Sequence, residues 1–274
     1  MPESPPSAYT SWQPGSGPLI GAVTAVGRPE YDLLHAAGRS LQQLAALLPG
    51  KYRATAVLEW VICCDGGPGG SVDQHAVRHA SGGLGVDVHV VATGRQAGPG
   101  PARNQALAWI RAPYLLTLDS DDLINPAGML ALLHALLADP GAGWAAGRCF
   151  HVSADLQPIW EGPVDPWPAG RVRCGAFWQH KRQHGGLPFL CPAALARTRM
   201  VRECGGWPGD CRIRAEDTAL WAVLTSRWPG VWVAEHVYTY RRHLASVTHT
   251  PGFRASDEGL EQIESMVRAG FTNP

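Results

Sequence analysis

Asp119, Asp121 and Asp122 stand within four residues of one another, directly after the largely apolar run Leu115-Leu116-Thr117-Leu118. Carboxylates this close repel each other and lose hydration unless a positive charge sits among them, so a divalent cation is their natural occupant. Oxygen-only ligands select a hard ion, Mg²⁺ or Mn²⁺. Asn125 and Pro126 follow as the opening of a helix. Open α/β sheets hold ligands where a strand ends ahead of a helix, so the segment reads as a metal and diphosphate site.

The elements that must position these carboxylates alternate through the first half of the chain. Strand patterns cover Leu19 to Val26, Val57 to Cys64, Val86 to Ala92 and Tyr114 to Leu118. Helical patterns lie between them, over Asp32 to Leu48, 72–80 and Ala102 to Arg111, and a further helix runs from Pro126 to the stop at Asp139-Pro140-Gly141. Repeated β then α units predict an α/β fold with a doubly wound, mainly parallel sheet and ligands at its carboxyl edge. Trp144 to Val152 and Val231 to Arg241 read as strands and Glu216 to Arg227 as a helix, while the Pro-, Gly-, Trp- and His-rich stretch from Asp155 to Pro188 reads as irregular. A last helix after Ser256, with Leu260, Ile263 and Val267 on one face, either packs on the domain or meets a partner.

The 274 residues suit one sizeable core. Lys plus Arg equals Asp plus Glu, 23 of each, which speaks against a nucleic-acid partner and a polybasic membrane anchor. No apolar run reaches the roughly 18 residues of a membrane span. Residues 1–18, rich in Pro, Ser and Gly, read as a disordered lead-in without signal-peptide character. The seven cysteines form no CxxC pair and read as reduced thiols. A cytoplasmic protein acting on a small molecule or on another protein is the expectation.

Four short motifs and a fifth segment fall in order: Cys64-Asp65-Gly66-Gly67, Ala102-Arg103-Asn104, Asp119-Ser120-Asp121, Glu216-Asp217, and Tyr240-Arg241-Arg242-His243 with Ser246 and Thr248 beyond. Together they resemble the family 2 glycosyltransferases of the GT-A fold, over roughly residues 19–250. The resemblance implies a Rossmann-like nucleotide-binding half over 19–125, an acceptor half with irregular segments over 126–250, and a separate terminal helix over 251–274. Cys64 and Gly67 depart from the aspartate and serine usual in the first motif, which removes those side chains as base contacts.

By this resemblance the donor is a nucleoside diphosphate sugar, UDP-linked ahead of dTDP or GDP, and the cofactor is Mn²⁺ or Mg²⁺. Asp65 would accept a hydrogen bond from the pyrimidine imide, and Thr24 would either line the base pocket or serve as an ordinary strand residue. Arg103 would reach nucleotide phosphate or the DxD carboxylates. Asp119 would contact ribose or donor sugar, Asp121 would hold the metal, and Asp122 would serve the next helix's entry or stand behind the metal-binding residues. His243 would add a metal or diphosphate contact.

Asp217 is the implied base of an inverting hexosyl transfer and takes the acceptor proton, while Glu216 orients the acceptor or its loop at the donor site. Trp160, Trp167, Phe177, Trp178, Trp207 and Trp221 offer flat surfaces for a small-molecule or carrier-bound acceptor, or else pack the core. His180 and His184 share the stretch where a loop could close over the donor. The chain reads as adding one sugar, with secondary-metabolite or antibiotic assembly as the setting. Two other readings remain: a nucleotidyltransferase, though Val23 to Pro29 offers only Gly27 and Arg28 toward a phosphate loop, and a catalytically inactive nucleotide- or partner-binding domain.

Overall fold

The computed structural model describes residues 17–28, 30–48, 57–66, 72–159, 165–209, 215–242 and 257–269. β1 (Ile20–Val26), β2 (Leu58–Cys64), β3 (Asp87–Ala92) and β4 (Tyr114–Thr117) pair in parallel in the order β3-β2-β1-β4. The connecting helices are α1 (Tyr31–Leu47), α2 (Gln74–Ser81) and α3 (Pro99–Leu107). Their short apolar runs are strands because both faces are covered. Leu58, Trp60, Ile62 and Cys64 face one core with α1, α2 and α4 (Pro126–Ala138). Val61 and Cys63 face a second core, with α3 and α7 (Glu216–Arg227).

Beyond β4 the sheet continues through β9 (Ala194–Arg197), β6 (Trp144–Ser153), β10 (Gly230–Arg242) and β5 (Leu123–Ile124). β9 runs antiparallel to both β4 and β6, whereas β6 and β10 are parallel. The long strands therefore share one direction except for β9, and the sheet is mainly parallel. Asn125 caps α4 by accepting a hydrogen bond from the Gly128 N–H at 3.0 Å, with Pro126 in the first turn as the sequence suggested.

The stretch from Asp155 to Pro188 carries more structure than its composition indicated: β7 (Pro158–Ile159), β8 (Gly170–Val172) and α5 (Ala176–His184). α5 is held by Ala176, Phe177 and Trp178, all buried in the second core. Neither β9 nor α6 (Thr198–Glu203) was anticipated. Ala-Leu-Ala-Arg has no strand signature of its own, and its partners supply the ladder on both sides. α8 (Asp257–Ala269) packs on the domain, with Ile263 fully buried and Leu260 and Val267 beside it. Among the described residues no helix is long and apolar enough to cross a membrane.

Candidate active site

The motif residues converge where β2 and β4 end. Gly98 takes a positive φ of 92° as the cap of α3, a conformation open to glycine, and so aims the helix across the sheet edge. Arg103, one turn in, is 5% exposed. Its Nη1 donates to Glu216 Oε1 at 2.8 Å and to Asp217 Oδ1 at 2.9 Å, and its Nη2 donates to Asp119 Oδ1 at 2.9 Å. One planar guanidinium thus ties the DxD turn to the acidic pair at the start of α7, a geometry that the fork of an arginine suits and a lysine cannot copy. Of the DxD carboxylates expected as its partners Arg103 reaches Asp119, and the acidic pair of α7 joins it. Enclosed by them, its guanidinium holds its charge more tightly than an ordinary arginine despite burial.

Asp217 and Glu216 sit in the first turn of α7, where the helix dipole favours negative charge. Burial is the largest influence on the Asp217 carboxyl and raises its pKa. Arg103 pulls the other way, Glu216 and Asp119 push it up again, and a hydrogen bond from the Trp207 indole lowers it, leaving it at about 7. A carboxyl poised there suits proton abstraction near neutral pH.

The DxD turn is built from behind. Asp122, 1% exposed, accepts from the Arg241 N–H at 2.7 Å and from the Tyr238 hydroxyl at 2.9 Å. Tyr238 in turn accepts from the Asp119 N–H at 3.2 Å, and Arg241 Nε donates to the Asp121 carbonyl at 3.0 Å. Burial first, then the charges of Asp119 and Asp121, push the Asp122 carboxyl up to about 9. Asp122 therefore supports the turn, one of the two roles expected for it. Thr24 does not line a pocket. It is fully buried and donates to the Leu118 carbonyl at 2.6 Å while accepting from the Trp60 indole at 2.8 Å, which fixes the residue just before Asp119.

A Mg²⁺-type ion is held by one or two carboxylates, with phosphate and water filling its other positions. Among the described residues no group of three or more His, Cys, Asp and Glu forms a self-contained metal cage. Asp121, half-buried at the same strand end as Asp119, offers the hard oxygen donors of a cation shared with a diphosphate. The residues present fit such an ion. His243 lies outside the described residues, as do Trp160, Gly67, Ser246 and Thr248.

Asp65, 7% exposed, accepts from the Ala97 N–H at 2.7 Å and the Gly98 N–H at 2.9 Å, one on each oxygen. It thereby holds the loop between β3 and α3 at the edge of the site. Oδ1 also accepts from the Thr93 hydroxyl at 3.3 Å, so Oδ2 is the oxygen with an acceptor position to spare for a base. Asp65→Ala is expected to weaken UDP binding in Mn²⁺ about tenfold, measured by calorimetry, because the loop amides and any base contact are lost together. Unchanged UDP affinity would remove Asp65 from the nucleotide site.

The aromatic residues expected at the acceptor are mostly core. Phe177, Trp178, Trp207 and Trp221 are buried, and half-buried Trp167 packs edge-on to Trp232 at 6.0 Å and Phe189 at 6.3 Å. The rings of His180 and His184 lie 4.4 Å apart along α5, tilted at 42° to each other. Sequence reasoning missed Asn104, Trp207, Tyr238 and Arg241 as parts of the site's support. Asn104 and Arg241 were visible inside the motifs, but Trp207 and Tyr238 carry no local sign of their roles.

A mainly parallel sheet with this carboxylate site at its carboxyl edge defines a GT-A-type nucleotide-sugar fold. The chain belongs to glycosyl transferase family 2, whose family model matches residues 44–205. Among solved structures it is similar to S. aureus TarS 1–349 in complex with UDP-GlcNAc, at a TM-score of 0.65 and 15% identity over 92% of this chain and 66% of that one. It is also similar to the mannosyltransferase PcManGT from Pyrobaculum calidifontis in complex with GDP-Man and Mn²⁺, at 0.55 and 13% over 88% and 61%. The chain thus spans just under two thirds of the length of these neighbours, and at such identity the likeness is one of fold. No curated protein matches the chain.

Proposed function

We propose that this chain moves one sugar from a nucleoside diphosphate sugar, UDP-linked in first place, to an acceptor hydroxyl with inversion at the anomeric carbon. The observation that carries this reading is the convergence of Asp119, Glu216 and Asp217 on Arg103, each at 2.8–2.9 Å. In the reaction the acceptor oxygen bonds to the anomeric carbon, its proton passes to Asp217, and the bond to the diphosphate oxygen breaks to release the nucleoside diphosphate. Attack opposite the leaving group makes the single displacement inverting. Arg103 keeps Asp217 and Asp119 on one side of the site, and Asp65 holds the loop beside the base. A divalent cation held by Asp121, with His243 as the further ligand expected from sequence, would supply positive charge against the leaving diphosphate. The acceptor is a small or carrier-bound hydroxyl compound.

The neighbours' complexes with UDP-GlcNAc and with GDP-Man and Mn²⁺ support a nucleotide sugar and a metal, and they keep guanine among the bases to be tried. The test is calorimetric titration with UDP, dTDP and GDP, each with Mn²⁺ and then with chelator. Binding of one diphosphate that needs Mn²⁺, and that disappears in Asp121→Ala, is the expected result. If no nucleotide binds under any condition, the transferase reading is wrong and a partner-binding domain takes its place.

A further inference from the structure

Arg103 alone does not account for how Asp217 is held. Its guanidinium is divided among three carboxylates, and a carboxylate bonded to a single donor can still swing about its side-chain torsions. A second donor reaches the same oxygen: the Trp207 indole Nε1 donates to Asp217 Oδ1 at 2.9 Å. Trp207 is 1% exposed and the Asp217 side chain 25%, so the donor side of this bond is shielded from water, and a fixed dipole there is worth more than in bulk solvent.

Trp207 is itself fixed by Asn104. The Asn104 Nδ2 donates to the Trp207 carbonyl at 2.6 Å, and the Trp207 N–H donates to Asn104 Oδ1 at 2.8 Å. The side-chain amide is read in both directions, so the backbone at Trp207 can neither rotate nor slide. Gly206, with φ of 72°, makes this approach feasible, since a Cβ there would meet Asn104 Oδ1 at 2.2 Å. Consecutive residues of α3 therefore act on one oxygen of Asp217, Arg103 directly and Asn104 through Trp207. Among the described residues, Asp217 Oδ2 takes no part in these bonds.

We propose that Trp207, seated by Asn104, is a positioning residue for the reaction: its indole N–H fixes Asp217 Oδ1 and so determines that Oδ2 receives the acceptor proton. The inference rests on the reading of Asp217 as the base. Among the described residues, the other charged or titratable groups around Asp217 are Arg103 on α3, Asp119 after β4, Glu216 on α7 and the buried Cys191 thiol ahead of β9, which burial keeps protonated.

Trp207→Phe tests it, since the ring's bulk is largely kept and only the N–H donor is lost. Compared with the parent 274-residue chain in Mn²⁺, the variant should bind the nucleoside diphosphate with unchanged Kd. Its kcat should fall about ten- to a hundredfold with KM for the donor unchanged. The acidic limb of its pH profile should move to higher pH, because the lost bond favours the ionised base. A folded variant with parental kcat and an unmoved limb overturns the proposal. If Trp207→Phe does not fold, the indole ¹⁵N–¹H resonances of the parent answer instead. One of them should shift with pH through the titration of Asp217 and stay still in Asp217→Asn, and the absence of any such signal overturns the proposal. Full turnover in Asp217→Asn would overturn the base assignment itself, whereas an inactive Asp217→Asn beside a fully active Trp207→Phe would overturn only the positioning role.

Discussion

Asp217→Asn is expected to bind the nucleoside diphosphate with parental affinity and to turn over about a thousandfold more slowly. The amide keeps the shape of the carboxylate, and its oxygen can still accept from Arg103 and Trp207, which meet on a single atom. What it loses is the capacity to take a proton. An interaction used only as the acceptor attacks should cost kcat and kcat/KM equally. In the parent, kcat/KM should fall about tenfold per pH unit below the Asp217 pKa of about 7, and this limb should vanish in the variant. Stability supplies an independent check. A carboxyl whose folded pKa lies above its unfolded value favours folding when protonated, so its ionisation costs stability as pH rises from the ordinary carboxylate range through about 7. Asp217→Asn should therefore have a Tm at or above the parent's at pH 8, even as activity collapses. A variant that is both unstable and unable to bind nucleotide would show that Asp217 is structural.

Arg103→Met is expected to be worse in every respect. The side chain is buried and its three partners are between 16% and 29% exposed, so its removal leaves mutually repelling carboxylates with little water to replace the lost cation. Breaking such a group costs about 3 kcal/mol and lowers Tm by several degrees. Turnover should be lost, because Asp119 and Asp217 are no longer held on the same side of the site. The sign of the pH effect separates this account from simple cavity formation. The stranded carboxylates can protonate, so the stability deficit should shrink from pH 8 to pH 5. A deficit that is the same at both pH values would point to lost packing alone.

The first half of the chain was legible because its signals are local. Apolar runs of strand length ended by Asp65-Gly66 or by Asp119-Ser120-Asp121, and helices opened by Asn125-Pro126, need only neighbouring residues to be read. The acidic pair at the start of α7 was found through the family motif it resembles. What the sequence withheld depends on contacts far along the chain. Thr24 looks like any strand-end threonine until Trp60 and Leu118 close on its hydroxyl. Asp65 binds amides 32 and 33 residues away, and Asn104 meets Trp207 across 103 residues. β9 exists because β4 and β6 leave a slot between them. The tryptophans misled for a related reason: a ring that can stack on a sugar is chemically the same as one that fills a core, and only burial distinguishes them.

The most direct measurement of the central claim, that Asp217 gathered by Arg103 drives an inverting transfer, is proton NMR of the first sugar released as the protein slowly hydrolyses an α-linked UDP-sugar in Mn²⁺. The account predicts that the β-anomer appears before mutarotation sets in, and that its release slows about a thousandfold in Asp217→Asn. Initial release of the α-anomer, or equal rates in parent and variant, would contradict it.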